Sequence, residues 1–145
     1  MTPTPFETRS ARMELVNLVT VHAPAEDIDR IMSAVTVITP LQMGAKFDQN
    51  AYEFAEGVER YRPLQGTHTG AETDTRKRPG VVSVNFELPL DQPLLEQVIE
   101  AIFQVHSYQE PVIRVQEIVS CRSKGLDDSQ NPHRWWNATG DWKKK

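Results

Sequence analysis

The sequence predicts an α+β domain built from two strand-helix-strand halves. Three observations carry that expectation. A segment near the start, residues 14–22, is apolar on both of its faces. Two later stretches repeat apolar residues at helical spacing, the first after Pro24 and the second after Asp91. Two β-branched runs, residues 81–88 and 112–119, flank the second helix. A chain of 145 residues suits one domain with a single core.

Taken in order, Leu15, Val19 and Val21 lie on one face of the first strand and Val16 and Leu18 on the other. This is the pattern of a central strand covered on both sides. Pro24 presets φ at a helix start, and Glu26 and Asp27 suit the positive end of the helix dipole. Ile28, Ile31, Met32 and Val35 then form one apolar stripe, and Pro40 closes the helix. Residues 51–55 and 58–62 alternate like half-buried strands around Gly57, which predicts an extra β-hairpin turning at Glu56 and Gly57. Residues 65–80 hold three Gly, four Thr and many charges, and are expected to form a mobile loop. Val82, Val84, Phe86 and Leu88 point one way from a clean strand ended by Pro89. Asp91 is placed to cap a helix with Pro93 in its first turn. Leu95, Val98, Ile99, Ile102 and His106 share that helix face, and Pro111 introduces the last strand.

This order is the split βαβ, or ferredoxin-like, sandwich, with both helices on one sheet face because the crossovers are right-handed. The other face keeps Val16 and Leu18 without a cover, so a homo-oligomer is expected. The predicted organisation is a flexible leader over 1–12, the domain over 13–120, and a Trp-containing tail over 121–145 that is too poor in aliphatic residues for its own core.

Composition narrows the function classes. Net charge is −4, but from Arg122 onward six Lys/Arg meet three Asp, leaving 10 basic and 17 acidic residues in the body. An acidic body argues against nucleic acid, and the Lys143 to Lys145 run reads as a solvated end. No apolar stretch approaches the roughly 18 residues of a membrane span. The first dozen residues have no apolar run of a signal peptide, and the single Cys121 fits a reducing compartment, so the cytoplasm is expected. Cys121 has no neighbouring His to activate it. No Gly-rich phosphate loop and no Ser/His/Asp set stands out, so a non-enzymatic role is favoured over a small enzyme with a shared site. Asn137, Ala138 and Thr139 match a glycosylation sequon by chance. Trp135 and Trp136 fit docking on protein better than stacking on a base.

Two motifs carry a resemblance. The run His106-Ser107-Tyr108-Gln109-Glu110-Pro111, leading into a strand, is similar to a His-Pro-Tyr-Glu-Glu-Pro segment. Tyr61-Arg62-Pro63-Leu64-Gln65-Gly66 is similar to a Phe-Arg-Pro-Leu-Glu-Gly stretch. Both resemble the insert domain of YqfO-type proteins, the Nif-three-like dinuclear-metal family, standing alone. The first also resembles the CutA divalent-cation-tolerance family. The resemblance implies a CutA/PII-like ferredoxin fold that forms trimers. It brings no dinuclear centre, which belongs to a flanking domain of the longer proteins. Ser107 stands for the motif Pro and Gln109 for a Glu.

The resemblance and the spacing leave two functional readings. One is a trimeric binding or regulatory module with an intersubunit cleft near Arg62 and Tyr108 that takes an anion or small ligand, or a protein partner. The other is a divalent-metal binder with His106 and Glu110 as ligands, joined by His68. Against these stand plainer roles. His106 can bond the last helix carbonyls, His68 can sit in a solvated loop with Glu72 and Asp74, and Arg62 can lock the hairpin by an ion pair.

Overall fold

In a computed structural model, which describes residues 2–138, strands β1 (Phe6–Glu7) and β2 (Ala11–Pro24) lead through a 3-10 turn (Ala25–Asp27) into helix α1 (Ile28–Ile38). Strands β3 (Tyr52–Glu53), β4 (Gly57–Tyr61) and β5 (Arg76–Pro89) follow, then α2 (Gln92–Val105), β6 (Val112–Ser123) and a short 3-10 turn (Trp135–Asn137). All strand pairs are antiparallel. The sheet runs β6, β2, β5, then β3 and β4 together on the far edge, with β1 folded back on the start of β2. This is the ferredoxin-like order that the alternation of elements predicts.

The core lies where apolar alternation on two strands meets helical stripes. Val19, Val21 and Ala23 of β2 stand opposite Phe86, Val84 and Val82 of β5, so all six share one sheet face. Ile28, Ile31 and Val35 of α1 and Val98 and Ile102 of α2 pack on that same face in one cluster. Burying each such side chain stabilises the fold by about 1.5–3 kcal/mol. Asp91 caps α2 as predicted, its Oδ1 accepting from the Leu94 N–H at 3.1 Å. After α1, Leu41 turns back into the core at φ 53° and 2% exposure. A bulky residue is disfavoured in that left-handed region, so its burial must outweigh the backbone strain.

Several expectations need correction. Residues 51–62 do not form a separate hairpin. Both β3 and β4 pair with β5, with Glu53 opposite Val84, Gly57 opposite Val81 and Tyr61 opposite Arg76. The ladder continues between them through the Phe54 N–H to Ser83 O bond at 2.8 Å. Gly57 therefore marks an irregularity in one edge strand, which local alternation cannot distinguish from a turn. The hairpin is β4 to β5, and its connection covers only residues 62–75, because residues 76–80, expected in the loop, belong to β5, where Arg76, Lys77 and Arg78 pair with β4. That connection is tied down by the Glu72 N–H to Pro63 O bond at 3.1 Å. The leader is also partly ordered: Phe6 and Glu7 pair with Met13 and Arg12, and β2 begins at Ala11. At the other end, β6 runs on through Cys121 to Ser123. The Lys143 to Lys145 run and Thr139 of the sequon lie outside the described residues.

The sheet face away from the helices is mixed in character. Leu18, Thr20 and His22 stand beside Gln116, Arg114 and Val112 of β6 and beside Glu87, Asn85 and Ser83 of β5. Near its end Arg122 is buried, with Nε 3.0 Å from Glu14 and NH2 2.8 Å from Glu87. Among the described residues no helix is long and apolar enough to cross a membrane.

Candidate binding cleft

The His106 to Pro111 segment connects the end of α2 to the start of β6. His106 ends the helix in extended conformation, its backbone N–H still bonded to Ile102 O at 2.9 Å. Its ring does not reach back to the last helix carbonyls. Nδ1 accepts the Tyr108 N–H at 3.1 Å, which puts the ring proton on Nε2, 2.8 Å from His22 O of β2. Both ring nitrogens are thus engaged within the fold. Ser107 then reaches the buried Asp27, donating its N–H at 3.1 Å and its hydroxyl at 2.5 Å to Oδ2. Arg30 completes this knot: NH2 lies 2.7 Å from Asp27 Oδ1, and Nε donates to Val105 O at 2.8 Å. Burial pushes the Asp27 carboxyl up, but the hydrogen bonds from Ser107 and Arg30 and the Arg30 charge outweigh it and hold the group below 3.8.

Beyond the knot, Tyr108 lies under Arg78 of β5, whose guanidinium carbon is 5.3 Å from the ring centroid. Arg78 stands opposite Glu59 of β4 and also lies 3.8 Å from Glu26. Two oxygens here are buried without a hydrogen-bond partner among the described residues, Tyr108 Oη and Glu59 Oε2. Burial raises the Tyr108 phenol pKa. Arg78 pulls it back, while Glu59, Tyr61 and Asp27 add to the rise. Gln109 accepts the backbone N–H of His68 at 3.0 Å, fastening the β4 to β5 connection to the motif.

The predicted site residues are therefore only partly gathered. Tyr108 is half-buried against Arg78. Arg62 lies exposed just past β4, and the cation that grips an acid in this hairpin is Arg76, bonded to Glu72 and 3.5 Å from the Tyr61 hydroxyl. Glu110 and His68 are exposed, and His68 meets the motif through its backbone. No group of three or more His, Cys, Asp or Glu side chains is assembled for a metal among the described residues. With His106 committed on both nitrogens, the predicted donor set does not fit a metal within one chain. Arg78, Glu59 and Asp27 are the site residues that the sequence reading missed. Only the β4 to β5 register brings the first two together, and Asp27 reads locally as an ordinary helix-start acid.

Of two concave surfaces, one reaches Glu59 and the other lies at the opposite end of the sheet. On the open sheet face a groove of about 390 Å³ is lined by His22, Val58, Glu59, Val81 and Ser83. At the far end a cavity of about 790 Å³ includes Arg12, Leu41, Glu87 and Arg122.

Solved structures share this fold. A Bacillus cereus protein related to NIF3 superposes with a TM-score of 0.59 at 18% identity, over 79% of this chain and 27% of that one. The divalent ion tolerance protein CutA1 of Ehrlichia chaffeensis gives 0.51 at 15% identity, over 79% and 87%. CutA1 of Shewanella sp. SIB1 gives 0.53 at 13% identity, over 72% and 82%. The chain thus spans about a quarter of the NIF3-related protein and most of each CutA1. No family model matches the sequence, and no curated protein matches it. The likeness is one of fold: a ferredoxin-like α+β domain of the kind found in CutA1 proteins.

Proposed function

We propose that this chain is a non-enzymatic binding or regulatory module that assembles as a homo-oligomer, a trimer, in the cytoplasm. Its binding region lies between the His106 to Pro111 turn and the β4 to β5 hairpin, and the domain resembles a YqfO insert. The observation that carries the reading is the pair of buried, unpartnered oxygens, Tyr108 Oη and Glu59 Oε2, beside Arg78. Buried polar atoms are nearly always paired, so these two are suited to a ligand or a neighbouring subunit. Arg78 offers a cation to an anionic group, and the Tyr108 hydroxyl offers a donor. Light scattering is expected to give three times the chain mass. Equilibrium dialysis against inorganic phosphate and small carboxylates is expected to find binding that Arg78→Ala lowers at least tenfold. A stable monomer that binds none of them would sink the reading.

A divalent ion is the second reading, supported by the fold shared with CutA1 proteins. Since His106 is engaged, a metal would have to draw on Glu110 and His68 from more than one subunit. Metal analysis of the purified protein beside His68→Ala and Glu110→Ala variants tests this, and equal metal content in all three excludes those ligands.

A further inference from the structure

The sheet is notched where β5 ends. On one flank of β2, β5 pairs only as far as Val16, opposite Pro89, and β1 pairs only with Arg12 and Met13. Glu14 and Leu15, between them, have no strand beside them on that flank, while β6 pairs along the other flank without a break. The cavity of about 790 Å³ lies at this notch. Its size falls within the roughly 300–1,000 Å³ of small-molecule sites.

Its walls divide into two chemistries. Leu15, Leu41, Leu88 and Leu90 supply apolar surface. Leu41 belongs to a loop closed at its base by the Gln49 N–H to Pro40 O bond at 2.7 Å and the Asn50 N–H to Leu41 O bond at 3.1 Å, so this wall is formed before anything binds. Arg12, Glu14, Glu87 and Arg122 supply charge, two groups of each sign. Arg12 stands directly opposite Arg122 and two residues from Glu14, so these three share one sheet face.

The four charges are not equally occupied. Arg122 is held by Glu14 and Glu87, and Glu87 also accepts from Ser120 Oγ at 2.7 Å. Arg12 is exposed and has no ion pair among the described residues, since Glu7, opposite it on β1, is turned to Lys124 at 3.3 Å. Like charges directly opposite on a ladder repel, so Arg12 beside Arg122 gains from an added carboxylate. Glu14 keeps 41% of its side chain exposed, and a carboxylate has about four acceptor sites, so it can take an ammonium as well as Arg122. A simple anion on Arg12 would also meet Glu14 and Glu87. A zwitterion meets an opposite charge at each end.

We propose that this cavity binds an α-amino acid with a large apolar side chain, its carboxylate on Arg12, its ammonium on Glu14 and its side chain against Leu15, Leu88 and Leu90. The site lies at the opposite end of the strands from Tyr108 and Arg78 and does not rest on the binding region proposed there. Isothermal titration calorimetry of the full chain with L-phenylalanine is expected to show one site per chain. Three truncated probes should each bind at least tenfold more weakly: 3-phenylpropanoate lacks the ammonium, L-phenylalaninamide the carboxylate and glycine the side chain. Arg12→Ala, at an exposed position, should weaken L-phenylalanine at least tenfold and leave L-phenylalaninamide unchanged. Glu14→Gln should weaken L-phenylalanine and leave 3-phenylpropanoate unchanged, with circular dichroism showing both variants folded. No binding of L-phenylalanine by the unaltered chain overturns the proposal. Binding that Arg12→Ala does not weaken overturns the cavity as the site. A 3-phenylpropanoate affinity equal to that of L-phenylalanine overturns the amino acid as the ligand class.

Discussion

Ser107 gives both its backbone N–H and its hydroxyl to one oxygen of Asp27, joining the end of α2 to the start of α1 across 80 residues of sequence. This explains a departure in the motif. A Pro at this position has no N–H, so the residue that looks like an imperfect match is the one that forms the contact.

Restoring the motif proline should therefore destabilise the protein. His106 is already at φ −75° and ψ 141°, a conformation that a following Pro tolerates, so Ser107→Pro is not opposed by its predecessor. It removes two donors from a buried carboxylate, a loss of about 1–3 kcal/mol. Urea unfolding should show a lower midpoint with an unchanged slope. Ser107→Ala, which keeps the N–H, should fall between wild type and Pro.

The same carboxylate makes stability depend on acid. The folded state holds Asp27 below its unfolded value of 3.8, despite burial, through Ser107 and Arg30. Between those two pKa values the unfolded chain binds more protons, so stability rises with pH. The contribution is complete above the unfolded value and is lost as pH falls through the folded one. Asp27→Asn should lower stability at pH 7 and flatten the stability profile below pH 4, as measured by urea unfolding at a series of pH values. An unchanged acid slope in the variant would contradict this.

How much of this was legible in the sequence depends on how local each determinant is. The apolar alternation of Val82, Val84, Phe86 and Leu88, the Asp91 cap and the stripe of Ile28, Ile31 and Val35 are written within a few residues, and each stands where it was read. The error around Gly57 arose because alternation defines a strand but not its neighbour. Only the pairing of residues 52–61 along β5 distinguishes an interrupted edge strand from a hairpin. The site divides the same way. His106 and Tyr108 were found from a contiguous motif, whereas Arg78 and Glu59 are joined by register, and Asp27 meets Ser107 only through the packing of α1 beside α2.

Arg122 anchors the opposite end of the sheet. Its guanidinium bridges Glu14 and Glu87 and also donates to Ser120 Oγ and Cys121 O, at 3.2 and 2.9 Å. Arg122→Ala leaves two carboxylates near each other without a cation. Because the side chains of Glu14 and Glu87 keep 41% and 30% of their exposure, water offsets part of the loss. The expected cost is about 1–3 kcal/mol, below the roughly 3–5 kcal/mol of a fully buried pair. Arg122→Met should cost less than Ala because it retains the aliphatic stem. Thermal melts of the two variants should rank in that order.

Tyr108→Phe separates a binding role from a packing role at the cleft. In a single chain the phenol oxygen is buried with no partner among the described residues, so it is desolvated without a compensating bond. Removing it should leave stability unchanged or raise it by up to about 1 kcal/mol, while the ring keeps its contact with Arg78. If a ligand or neighbouring subunit supplies the missing partner, the same substitution should weaken that association and lower the melting temperature of the assembled or liganded protein. Melting curves taken above and below the concentration at which the protein assembles distinguish the cases. A rise in both regimes means that the oxygen has no partner in the working protein, and the cleft reading loses its main support. A rise in the dilute monomer with a fall in the assembly is the result expected here, because it would show that the hydroxyl is held unpaired in one chain for a contact made outside it.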